Sequence, residues 1–159
     1  MRIGEVVVFG TSNIEIEQFI EAICQFIQQK DNKICYANLE INDQLILYLY
    51  GIQYQDQPET IAWDMLSNKV LGYIFIFNWY QPESLNQIMD LLDYVNEKCA
   101  APIIFAANVA NQPSPLPDNL FQDGISLNFN EKLLFCRAGD SATCKKALVA
   151  LLDIIIDKL

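Results

Sequence analysis

The stretch Gly10–Phe19, GTSNIEIEQF, has the outline of a phosphate cradle. It follows the apolar run Val6-Val7-Val8-Phe9, and a short polar loop leads it into an apolar-periodic segment. A working cradle also needs a second glycine, a lysine and a serine or threonine at set positions. Those positions hold Glu15, Ile16 and Glu17. A carboxylate about 4 Å from a phosphate charge, at an effective dielectric near 20, repels it by roughly 4 kcal/mol. That is about three decades of affinity. The same residues make a good helix start. Ser12-Asn13-Ile14-Glu15 fits a capping box, with Ser12 accepting a helix N–H and Glu15 returning to the Ser12 N–H. Glu15 and Glu17 suit the positive end of a helix dipole by about 0.3–1 kcal/mol each. Ile16 keeps register with Ile20, Ile23 and Ile27, so it is expected to pack rather than project. The expectation is that a carboxylate of the protein occupies or caps the space a phosphate would take.

Composition narrows the chemistry further. The chain has 159 residues, 52% of them hydrophobic, which suits one domain (1–159) with a sizeable core. Its net charge of -10 argues against a nucleic-acid partner, which needs clustered Lys and Arg. It equally disfavours docking to anionic lipid. Histidine is absent, which removes the usual Ser/His/Asp and Cys/His nucleophile systems and imidazole metal ligands. Five cysteines (24, 35, 99, 136 and 144) form no CxxC pair and read as reduced core thiols, with a redox or metal role as the alternative. Cys144 precedes Lys145-Lys146 and is expected on a helix surface. The longest apolar stretch, Leu71–Phe77, is far too short to span a bilayer, and no leader sequence is visible. A cytoplasmic protein without membrane insertion is expected.

The elements that position these residues follow from periodicity. Ile3–Gly10 reads as a buried strand, followed by a helix to about Gln29. Lys33–Ile41 and Gln44–Gly51 read as strands joined by the turn signal Asn42-Asp43. Thr60–Lys69 reads as a short helix, Val70–Asn78 as a central strand, and Gln81–Cys99 as a helix opened by Pro82. Ala101–Asn108 is a strand and the proline-rich 111–119 a loop. Glu131–Ala138 is the last strand, before a helix capped by Asp140 or Ser141. The order predicts a three-layer α/β domain with a six-stranded, mostly parallel sheet and one antiparallel edge strand. Ligands of such sheets bind outside the C-terminal strand ends.

The element order resembles that of Ras-like small GTPases, which carry a P-loop NTPase fold. The stretch LYLYGIQYQDQPETIAWDMLSNKVLGYIFIF, followed by PESL, is most similar to the bacterial branch related to MglA and Arf-like proteins. This segment covers about thirty residues and the fold-level likeness covers the chain. By that resemblance Gly10 is the opening glycine of the first motif, flanked by Ser12 and Asn13. Glu15, Ile16 and Glu17 replace its second glycine, lysine and magnesium-binding hydroxyl. In the second motif Gly51 stands where most Ras-like proteins have a metal-linked acid, as it does in the bacterial branch. Tyr54 replaces the γ-phosphate-sensing glycine, and Gln55 stands at the water-orienting glutamine. In the third motif Asn108 is kept, Val109 replaces the lysine, and Asn111 lacks the carboxylate that pairs with guanine. Ala138, after Arg137, matches the last base-contacting loop.

The resemblance implies a GTPase-like module without catalysis, a pseudo-GTPase in signalling that needs no cofactor and acts through protein contacts. A roadblock-type regulator or another GTPase-like chain is the expected partner by family analogy alone. Tyr54, Trp79 and Tyr80 fall in predicted loops and are the expected contact residues. Core packing accounts for Trp63, Tyr48 and Tyr50. The alternative is an unorthodox nucleotide hydrolase, with Gln55 orienting water and Glu17 helping to hold Mg²⁺ beside GTP or another nucleotide.

Overall fold

A computed structural model describes residues 2–24, 27–30, 34–54, 70–98, 101–113, 117, 119–128 and 130–157. In chain order the elements are β1 (Arg2–Gly10), α1 (Asn13–Cys24), β2 (Gln29–Lys30), β3 (Ile34–Asn42), β4 (Leu45–Gln53), β5 (Val70–Asn78), α2 (Pro82–Lys98), β6 (Ile103–Asn108), α3 (Asn119–Gln122), β7 (Ile125–Asn128), β8 (Glu131–Cys136) and α4 (Ser141–Asp157). The strands form one sheet in the order β2-β3-β4-β1-β5-β6-β8-β7. The interior pairs β4–β1, β1–β5, β5–β6 and β6–β8 are parallel. The outer pairs β2–β3, β3–β4 and β7–β8 are antiparallel.

Period-2 alternation along the strands builds two cores. Val6, Val8, Ile74, Ile76 and Leu134 meet α1 and α4 on one face. Val7, Phe9, Phe75, Phe105 and Phe135 meet α2 on the other. Successive side chains of a strand point to opposite faces, so the run Val6–Phe9 is apolar throughout because both faces are covered. The domain is therefore α/β, with helices on both sides of a mostly parallel sheet.

Three expectations change. The sheet has eight strands among the described residues rather than six, and antiparallel pairs lie at both edges rather than one. The additions, β2 and β7, are two and four residues long, too short for a readable alternation. The first helix, described to Cys24, does not include Gln29, which belongs to β2. By Gln28 the backbone has joined the sheet: the Gln28 N–H donates to Tyr36 O at 2.9 Å, and Gln29 pairs with Tyr36. Ile27 still packs against the core on the α1 side. The helix expected at 60–69, and Trp63 with it, lies outside the described residues. The hairpin turn forms as expected, with the Gln44 N–H donating to Asn42 Oδ1 at 2.8 Å. No helix of the described chain is long and apolar enough to cross a membrane.

Candidate functional site

The C-terminal ends of β1, β5, β6 and β8 converge on the start of α1. Ser12 caps that helix: the Glu15 N–H donates to Ser12 Oγ at 3.3 Å and the Ile16 N–H to Ser12 O at 3.1 Å. The return half of the expected capping box goes elsewhere. Glu15 is buried, and its Oε2 accepts a hydrogen bond from Asn108 Nδ2 at 2.6 Å. Burial raises the Glu15 carboxyl above its ordinary range, and the Asn108 hydrogen bond partly opposes that rise.

Asn108 ends β6 and is 5% exposed. Its Oδ1 accepts from two backbone N–H groups, Ala110 and Ala138, both at 2.9 Å. One buried amide thus joins α1, the loop after β6 and the loop after β8. Arg137 fastens the same two loops from outside. Its guanidinium donates to Ala110 O at 2.8 Å and Gln112 O at 2.6 Å, and lies 5.3 Å over the Phe121 ring. Between these ties Ala110 holds a φ of 51°, a left-handed conformation that a residue with a Cβ adopts only at a cost of order 1–2 kcal/mol. Val109 is fully buried, and its N–H donates to Cys136 O. Asn111 is exposed.

Ile16 turns into the core. A Cβ built on Gly51 would lie 2.5 Å from Ile16 Cγ2, and one on Gly10 would lie 2.9 Å from Ile16 Cγ1. The two glycines make the room that the isoleucine side chain fills. Glu17 is half-buried one residue further along α1, and Asn13 is half-buried at its first turn. Tyr54 is drawn inward as well. Its N–H donates to Gly10 O at 2.7 Å, and the residue is 4% exposed in the core on the α2 side. Gln53 Nε2 donates to Thr11 O at 3.0 Å, so the end of β4 is stitched to the loop after β1. Gln55 lies outside the described residues.

The structure therefore brings Gly10, Ser12, Glu15, Ile16, Gly51, Asn108 and Ala138 into one neighbourhood. Asn111 is not among the partners in the hydrogen bonds of Glu15 and Asn108 described above. Among the expected contact residues, Tyr54 is corrected: at 4% exposure it presents no surface, because its ring fills the core beside Phe9 and Ile52. Trp79 is half-buried and packs edge-on against Phe135, with centroids 4.8 Å apart. Tyr80 is 43% exposed, and its hydroxyl donates to Pro113 O. The loop clamp by Arg137 is the part the sequence did not announce; its place directly after β8 is the only signal for it.

The thiols are core groups where they are described. Cys24, Cys35, Cys136 and Cys144 are buried and unpaired by disulfide. Cys144 is fully buried rather than on the helix surface, because α4 turns it toward β8, where its thiol donates to Arg137 O at 3.4 Å. The Cys136 thiol is pushed well up by its hydrogen bond with Cys144, then by burial and the nearby acidic groups. Burial pushes Cys24 up to about 11. Thiols held protonated in this way are poor nucleophiles. No protein-family model matches the sequence, and no curated protein matches it either.

Proposed function

We propose that the chain is a GTPase-like module without nucleotide chemistry, acting through protein contacts. The observation that carries this reading is the buried Glu15–Asn108 pair, which puts a carboxylate and its partner amide at the head of α1. In a Ras-like arrangement that is the phosphate end of the sheet. The parallel core β4-β1-β5-β6-β8, with antiparallel β3 beside it, agrees with a Ras-like strand order. That likeness is one of fold and carries no activity by itself. The residues present do not fit a magnesium nucleotide. Glu15 would repel phosphate, Ile16 supplies packing instead of a cation, and the Tyr54 N–H is already bonded to Gly10 O. Roadblock-type regulators and other GTPase-like chains remain the partners suggested by the family resemblance.

Thermal denaturation with GTP, ATP or XTP, each with and without Mg²⁺, tests the reading. The expected result is no change in Tm with any of them. Binding at 100 times Kd would add about 2.7 kcal/mol, roughly 5–10 °C for a chain of this size. A shift of that size with one nucleotide would overturn the proposal in favour of a hydrolase.

A further inference from the structure

The parallel crossovers on the α2 side are unequal. Between β5 and β6 the chain lays down the 17-residue α2; between β6 and β8 the only described helix is the four-residue α3, followed by β7. The sheet beyond α2 is left with a groove of about 210 Å³. Phe77, Phe105 and Leu133 form its floor, Leu85 and Met89 of α2 one wall, and Leu127 of β7 the other. Met89 is 44% exposed and Leu127 51%. Trp79 closes one end and Glu131 stands at the other.

The rim is acidic. Glu131 lines the groove itself. Asp93 lies one helical turn beyond Met89, so it borders the same wall, with exposed Asp90 beside it. Asp123 is exposed between α3 and β7. Lys132 alternates to the opposite face of β8, next to residues that pack toward α4. The Arg137 guanidinium is engaged by two carbonyls and the Phe121 ring. An apolar slot bordered by carboxylates repels a second copy of a chain with net charge -10. Its complement is a slender apolar segment with cationic flanks.

We propose that this groove is a docking site for a partner protein segment whose leucine-like side chains are flanked by lysine or arginine. The apolar side chains enter between Met89 and Leu127, and the cations meet Asp93 and Glu131. This deepens the protein-contact reading by giving it a surface and a partner chemistry. The groove does not involve the nucleotide end of the sheet, so the nucleotide test and the test below fail independently.

The test uses the full chain labelled at its methionine methyl groups, with the Met89 signal assigned by Met89→Leu. The probe is a synthetic heptapeptide alternating lysine and leucine. Control peptides carry glutamate for lysine or serine for leucine. The Met89 methyl resonance should move to saturation with the lysine–leucine peptide and stay in place with both controls. Reversing the rim with Asp93→Lys and Glu131→Lys should weaken that binding at least about tenfold. Reversing Glu21 and Asp153, exposed on α1 and α4 across the sheet, should leave it within about twofold. Leu127→Ser, a surface change, should weaken it as well. The proposal is overturned if Met89 does not respond, or if either control peptide moves it equally. It is also overturned if distant charge reversal weakens binding as much as rim reversal, or if Met89 shifts with protein concentration alone, the sign of self-association.

Discussion

At the scale of single residues, Glu15 and Asn108 tie the head of α1 to the end of β6. A buried carboxylate with one amide donor is held at a desolvation cost, and its pKa rises accordingly. The folded state then binds the proton more tightly than the unfolded chain does. Stability therefore falls as pH rises from the unfolded value near 4.5 through the raised folded value, and the deficit persists above it. Glu15→Gln keeps an oxygen for Asn108 Nδ2 and removes the charge. Urea denaturation across pH 4.5 to 8 should show this variant gaining stability on the native protein as pH rises. A constant difference would mean that the carboxyl titrates normally. The Ser12-x-x-Glu15 cap is legible in the sequence, and its first half forms. The sequence cannot show that Glu15 turns to Asn108 instead, since the two lie 93 residues apart.

At the scale of elements, α1 seats on the sheet through Ile16, which needs the absence of side chains at Gly10 and Gly51. Gly51→Ala would place a Cβ 2.5 Å from Ile16, 2.6 Å from Cys35 and 2.8 Å from Ile20. Two of these contacts are with α1, so the helix must lift or the side chains must leave their rotamers. The expected loss is about 1–3 kcal/mol, measured by urea denaturation. A loss below about 0.5 kcal/mol would show that α1 slides without strain. The long elements are readable because their apolar residues repeat many times: the start of α1, the strand at Val70–Asn78 and the helix at Pro82–Lys98 appear close to where periodicity sets them. The end of α1 is not readable, because pairing of Gln29 with Tyr36 competes with a helical pattern that Ile27 would otherwise extend. Nor is β7, whose Ile125 and Leu127 are 43% and 51% exposed and so mark no buried face.

At the scale of the whole molecule, a net charge of -10 on a compact fold means self-repulsion. Raising ionic strength shortens the screening length from about 30 Å at 0.01 M to about 8 Å at 0.15 M. The midpoint of thermal unfolding at pH 7 should therefore rise by a few degrees between those salt concentrations, and an unchanged midpoint would show the charges to be locally balanced. The sequence alone determined the covered faces of the central strands, the helix start at Ser12 and the absence of a lysine from Gly10–Phe19, because these depend on residue type and local period. Only the tertiary structure decided the strand order, the burial of Tyr54, the pairing of Glu15 with Asn108 and the groove between α2 and β7. Each of those depends on which distant segments the sheet sets side by side. A one-dimensional pattern records which side chains must be covered, and the register of the strands decides what covers them.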